Sequence, residues 1–254
     1  MAEEVLRQRE GHVEVLTLNR PEARNAINLA TARALGEALD ACALDDDVWV
    51  VILTGAGDKA FSAGMDLKAF AQGEFPYTEQ GFGGLTERRF PKPLICAANG
   101  SAFAGGFEML LSCDLVVAAD HAVFGIPEVQ RGLIAGAGGL IRLARRIARA
   151  VALEMALTGE PVSASRAYDV GLVNRVVPGD QVLTTAMSLA RRICDNAPLA
   201  VRASKRVMLE TLEMGDVDAW SLNNAAFTEI ATSADALEGA ISFAEKRPAQ
   251  WQGK

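Results

Sequence analysis

Two short segments rich in small residues carry the first chemical signal. Phe61-Ser62-Ala63-Gly64-Met65-Asp66-Leu67 and Asn99-Gly100-Ser101-Ala102-Phe103-Ala104-Gly105-Gly106-Phe107-Glu108 each read as a turn leading from a strand into a helix. A helix N-terminus leaves backbone N–H groups without partners, and these suit an anion or a developing oxyanion. Glycine turns are also ordinary joints of α/β folds, so both readings stay open. Two glutamates carry the second signal. Glu108 stands between Phe107 and Met109, and Glu128 follows Phe124-Gly125-Ile126-Pro127. Apolar surroundings disfavour the charged form of a carboxyl group, which raises its pKa toward the range useful for proton transfer. A plainer role fits the same positions. An acid in a first helical turn complements the macrodipole, and Pro127 suits the first helical position.

Other chemistries have little support. The chain has 2 histidines, His12 and His121, without ligand-like neighbours at helical spacing, which argues against a His-based metal site. No Gly-x-Ser-x-Gly elbow is present for a serine nucleophile. Gly136-Ala137-Gly138-Gly139 has the wrong spacing for a dinucleotide fingerprint. Cys42, Cys96, Cys113 and Cys194 lack Cys-x-x-Cys spacing and read as reduced core residues. With 25 basic and 32 acidic residues, the net charge of −7 disfavours general nucleic-acid binding.

At 254 residues, half of them apolar, the chain can bury a large core without disulfides or metal. Residues 5–9 and 13–18 read as a hairpin, followed by a polar loop and an amphipathic helix over 29–44. The β-branched run 48–54 has the pattern of a strand buried on both faces. Strand-then-helix units follow from 94–98, from 115–119 with Val123 and Phe124, and from 173–177. Their recurrence predicts an α/β fold. Strand signals stop near 195, and 199–214, 217–230 and 234–246 read as helices. The expected division is a core over 1–195 and a helical region over 196–254. Trp220, Phe227, Ile230, Phe243 and Trp251 could be internal core or could pack on another subunit. The glycine- and aromatic-rich stretch 73–89 reads as a mobile pocket wall or a surface-packed loop. Phe75, Tyr77, Phe82, Leu85 and Phe103 are candidate pocket residues. The acidic opening Met1-Ala2-Glu3-Glu4 lacks a signal-peptide pattern, and 93–119 is too interrupted to span a bilayer, so a cytoplasmic location is expected.

The ordered motifs resemble the crotonase superfamily, the enoyl-CoA hydratase/isomerase family. Asn19-Arg20-Pro21, Asn25-Ala26, the two small-residue segments, Lys92-Pro93, Phe124-Gly125-Ile126-Pro127-Glu128, Gly136-Ala137-Gly138-Gly139 and Phe243-Ala244-Glu245-Lys246-Arg247-Pro248 occur in the family's order. The match runs over about 5–252. The resemblance implies a spiral of ββα units with a helical C-terminal region, assembly as a homotrimer or homohexamer, an acyl-CoA thioester substrate, and no metal or redox cofactor. By position, the N–H groups of Met65 and Gly105 would form the oxyanion hole. Glu108 and Glu128 match the glutamates of the family's hydratases. Ala23, Arg24, Ala63, Met65, Asp66, Leu67, Lys68 and Gly105 would line the coenzyme A site, with Lys246 near that of a neighbouring subunit. Ala104 stands where the family often has a third glycine, and Ala135 where it often has a proline. Both departures are expected to have small geometric effects. The implied activity is hydration of a 2-trans-enoyl-CoA. The alternatives are a lyase of the carnitinyl-CoA dehydratase subgroup, a Δ3-Δ2-enoyl-CoA isomerase, and a catalytically silent acyl-CoA-binding protein.

Overall fold

A computed structural model describes residues 3–254 of the chain; Met1 and Ala2, part of the segment inspected for a targeting signal, lie outside the described residues. The strands are β1 (Val5–Glu10), β2 (Val13–Leu18), β3 (Val50–Gly55), β4 (Ala60–Ser62), β5 (Tyr77–Thr78), β6 (Gly81–Phe82), β7 (Leu94–Ala98), β8 (Ser101–Phe103), β9 (Leu115–Ala119), β10 (Val123–Gly125), β11 (Val162–Ser163) and β12 (Arg175–Val177). The helices are α1 (Leu29–Leu44), α2 (Leu67–Ala71), α3 (Gly105–Ser112), α4 (Gly139–Arg146), α5 (Arg149–Thr158), α6 (Ala164–Asp169), α7 (Val182–Cys194), α8 (Pro198–Glu210), α9 (Asp216–Ala231) and α10 (Ala234–Glu245).

The expected hairpin forms, with Val5 opposite Leu18 and Glu10 opposite Val13. It edges a six-stranded sheet in the order β1-β2-β3-β7-β9-β12, parallel from β2 onward. Every residue of β3 and β7 is buried, which explains why those runs are continuously apolar rather than alternating. A second sheet runs β11-β10-β8-β4. The pairs β3/β4, β7/β8 and β9/β10 each give one strand to each sheet and then enter a helical turn. That is the ββα spiral the resemblance implied. It delivers the starts of α2 and α3 and the 3-10 helix Pro127–Arg131 one after another.

Several sequence expectations need adjustment. Glu128 opens a 3-10 helix, not an α-helix, and α4, α5 and α6 carry a stretch to which no elements were assigned. The 73–89 stretch divides in two. Residues 81–86 are buried, with Gly83 against Met109 of α3 and Gly84 against Gly36 of α1, while most of 73–80 stays at the surface. Lys92 is a buried lysine: its ammonium donates to Cys42 O and Asp45 O at 2.7 and 2.6 Å, satisfying carbonyls at the end of α1.

The three C-terminal helices lie where they were expected, but the core reading of their aromatics fails within one protomer. Trp220, Phe227 and Phe243 are 65%, 73% and 87% exposed. Amphipathic spacing marks an apolar face without saying what covers it. Among the described residues, no helix is long and apolar enough to cross a membrane, and no cluster of three or more potential ligands could hold a metal ion.

Candidate active site

The ends of β4 and β8 bring two backbone amides together. Beyond β4, Ile27 N donates to Gly64 O at 2.8 Å and Asp66 N donates to Ile27 O at 2.9 Å. In this parallel bridge the N–H of Met65 itself points away from Ile27. Gly64, at φ +87°, lies so close to the next turn of the spiral that a Cβ on it would be 2.8 Å from Phe103 O and 3.0 Å from Gly105 N. Gly105 is the first residue of α3, so its N–H has no acceptor within the helix. Among the described residues, neither the Met65 nor the Gly105 N–H donates a hydrogen bond. Two uncommitted donors therefore come from adjacent backbone.

Ala104 caps α3 at φ 50°, ψ −129°, a conformation that a Cβ disfavours. The small effect expected of this departure from the family's glycine is thus a strained residue beside one of the two amides. Ala135, the other departure, is buried and leaves both carboxylates in place.

The first turn of α3 carries Glu108 inward, to 3% exposure. Its Oε1 accepts from Ala137 N and Gly139 N, both at 2.8 Å. Burial pushes its carboxyl up to about 7; the Gly139 N–H opposes this, the Glu128 charge adds to it, and the Ala137 N–H and Arg142 pull it back. Glu128 Oε2 is buried and has no hydrogen-bond partner. Burial raises this carboxyl as well. Burial raises the hydroxyl pKa of Tyr77 first, and the charges of Glu108, Glu87 and Glu128 raise it further. Its ring meets Phe82 edge-on at 5.5 Å. The spiral has thus gathered the two amides and two carboxyls from three segments of the sequence.

The remaining candidates divide by position. Ala23 and Arg24 lie at the end of a short 3-10 turn, tied to the first amide segment by Ala63 N donating to Arg24 O at 3.0 Å. Arg24 is exposed and lines a cavity of about 150 Å³ with Pro21, Gly57, Asp58 and Lys59. Leu67 and Lys68 are exposed on α2. Asp66 turns its carboxylate inward, capping α2 at Lys68 N and Ala69 N and pairing with Arg20 at 2.9 Å. Lys246 is an exposed left-handed cap of α10, and no hydrogen bond joins its ammonium to residues 23–24 or 63–68. The Ala63–Arg24 hydrogen bond and the Arg20–Asp66 pair draw the 20–24 and 63–68 segments into one region. A larger cavity, about 810 Å³, opens elsewhere, between α3–α4 and α8–α9, and is lined by Arg89, Arg142, Arg146, Arg202 and Lys205.

Sequence reasoning missed the groups that hold Glu108. Ala137 and Gly139 lie in the small-residue motif before α4, which was tested only as a dinucleotide fingerprint and as a family marker. Its other property, free amides at a helix start, was the available signal.

The family model for enoyl-CoA hydratase/isomerase matches residues 8–254. A carnitinyl-CoA dehydratase from Salmonella arizonae is 41% identical over 261 residues, covering 100% of both chains. The crystal structure of an enoyl-CoA hydratase from Mycobacterium marinum superposes with a TM-score of 0.97 at 48% identity, covering 100% of both chains. That of a probable enoyl-CoA hydratase/isomerase from Mycobacterium abscessus gives 0.96 at 50% identity, again over 100% of both. With its spiral fold and site geometry, the chain belongs to the enoyl-CoA hydratase/isomerase family of the crotonase superfamily.

Proposed function

We propose that the protein is an enoyl-CoA hydratase, adding water to the double bond of a 2-trans-enoyl-CoA. The observation that carries this reading is the unequal pair of carboxyls: Glu108 Oε1 is pinned by two N–H groups, while Glu128 Oε2 is buried without any donor. Burial disfavours the charge on both, so the two carboxyls resist being ionised together and titrate as a unit. The two N–H donors favour the charge on Glu108, and we assign the proton to Glu128, whose Oε2 has no donor. Glu108 takes a proton from water as the water oxygen bonds to C3. The π electrons move toward the thioester oxygen, which becomes enolate-like between the N–H groups of Met65 and Gly105. Glu128 then delivers its proton to C2. Loss of one such donor costs on the order of 3–4 kcal/mol in the transition state. Dehydration follows the same steps in reverse.

Coenzyme A is part of the substrate, and the reaction needs no further cofactor or metal. Ala23, Arg24, Ala63 and the 65–68 segment form its binding wall, with Arg24 and Lys68 offering positive charge to phosphates. Lys246 contributes from a neighbouring subunit in a homotrimer or homohexamer. The exposed Trp220, Phe227 and Phe243 support such an assembly.

The test follows loss of enoyl-thioester absorbance with crotonyl-CoA and a longer enoyl-CoA in wild type, Glu108→Gln and Glu128→Gln. Hydration lost in both variants supports the reading. Dependence on only one glutamate points to isomerisation. Binding without turnover in wild type points to a silent acyl-CoA-binding protein. A second reading, dehydration of a carnitinyl-CoA by the same groups, has one structural observation in its favour. The charges of Glu108, Glu87 and Glu128 all act on Tyr77, an aromatic ring 44% exposed, and negative charge beside an aromatic face attracts a quaternary ammonium. Turnover of carnitinyl-CoA well above that of 3-hydroxybutyryl-CoA would select it.

A further inference from the structure

Arg142 lies in the first turn of α4 and is half-buried, and its hydrogen-bond partners among the described residues are backbone carbonyls. Its guanidinium spans two separate backbone segments. Nη1 donates to Ala137 O at 3.3 Å, and Nη2 donates to Thr86 O. A half-buried guanidinium committed to two carbonyls is costly unless both bonds are made, which makes their placement mutually dependent.

Each of those segments touches one half of the site. Ala137 is also the residue whose N–H holds Glu108 Oε1. Thr86 accepts the N–H of Phe82 on its hydroxyl at 2.9 Å. The Phe82 ring in turn lies against Gly105: a Cβ there would be 2.5 Å from Cε1 and Cζ. We propose that Arg142 is a positioning residue that fastens the 137–139 loop holding Glu108 to the 81–86 segment backing the Gly105 amide. It thereby helps fix the orientation of the Glu108 carboxyl relative to the Gly105 amide, whose backbone spacing α3 already sets. Neither bond is made to the acyl site directly, so Arg142 acts through its neighbours. Lysine cannot replace it fully, because one ammonium lacks the planar fork that reaches both carbonyls.

The experiment uses the full-length protein with Arg142→Lys and Arg142→Gln. Amide exchange of the intact chain reads the clamp without any substrate. Faster exchange by about tenfold or more at Ala137, Gly139 and Phe82 together, with β3 unchanged, is the expected result. Unchanged exchange at these amides in both variants overturns the proposal. Should Arg142→Gln fail to fold, Arg142→Lys decides the matter by the same criterion.

The kinetic half rests on the hydratase reading above. With crotonyl-CoA, we expect kcat to fall about ten- to a hundredfold in Arg142→Gln, KM to stay within about threefold, and Arg142→Lys to recover part of the loss. Because Arg142 acts partly through Glu108, adding Arg142→Gln to Glu108→Gln should cost well under its effect in wild type. A full multiplicative loss in the double variant, or a lowered melting temperature with unchanged kcat, overturns the positioning role. If wild type hydrates no enoyl-CoA, the hydratase reading fails by itself, and amide exchange still decides the clamp.

Discussion

The ring of Phe82 rests on the backbone of Gly105, so close that Cε1 and Cζ occupy the space a side chain at 105 would need. Glycine is therefore required by packing as well as by the approach of a substrate to its N–H. We expect Gly105→Ala to lower kcat/KM about a hundredfold or more, because the methyl group must displace either the ring or the amide. Adding Phe82→Leu, which lacks the two ring atoms in the way, should recover part of the loss. Steady-state hydration of crotonyl-CoA by the single and double variants checks this.

Glu108 ties stability to pH. Its folded-state pKa is raised to about 7 from an ordinary value of 4.5. The native state therefore holds the proton more tightly than the unfolded chain, and stability falls as pH climbs between these values. Glu108→Gln removes the charge and keeps an oxygen able to accept from Ala137 and Gly139. Its melting temperature should match wild type near pH 4 and exceed it by a few degrees at pH 8. A gain that is the same at both values would show that the buried charge is not responsible.

Activity should follow the same group in the opposite sense. As a base, Glu108 works only when ionised, so kcat/KM should rise with pH through about 7. In Glu108→Gln the rising limb should disappear from the residual rate. A wild-type rate that is flat from pH 6 to 8 would count against the assignment.

Ala104 carries a strained backbone, at φ 50°, directly before Gly105. Such conformations cost a non-glycine residue on the order of 1–3 kcal/mol. Replacing Ala104 by glycine should raise the unfolding free energy by about 1 kcal/mol, less than the full strain because glycine also loosens the unfolded chain. Denaturant titration measures this; destabilisation would mean that the Cβ has packing worth more than the strain.

The exposed aromatics of the C-terminal helices give a prediction about assembly. Trp220 is 65% exposed and Phe227 73%. If these faces meet another subunit, Trp220→Asp combined with Phe227→Asp should lower the sedimentation-derived mass by at least one subunit. An unchanged mass would remove these residues from the interface.

Much of the site could be read before the fold was known because it is local. The turns into α2 and α3 are short strings of small residues, and their free amides follow from helix geometry alone. Glu108 and Glu128 stood out because apolar neighbours in sequence foretold burial, and both are indeed pushed up by it. The hairpin, the buried β3 and the three C-terminal helices were legible for the same reason, since period and composition act within one element. The stretch from 139 to 169 was not. Its helices α4 to α6 are short, and α5 and α6 lack a long apolar period.

By itself the sequence determined which groups exist and which local turns expose them: Met65 and Gly105 at strand-to-helix junctions, and two carboxyls among apolar side chains. Only the tertiary structure decided that these groups meet. The donors to Glu108 come from Ala137 and Gly139, far along the chain, and the support behind Gly105 comes from Phe82. That Trp220 and Phe243 lie on the surface of one protomer was likewise decided by how the helices pack. The reason is physical. Propensity, capping and burial preference act over a few residues, whereas a site of this kind depends on distances between segments that only the register of the spiral sets.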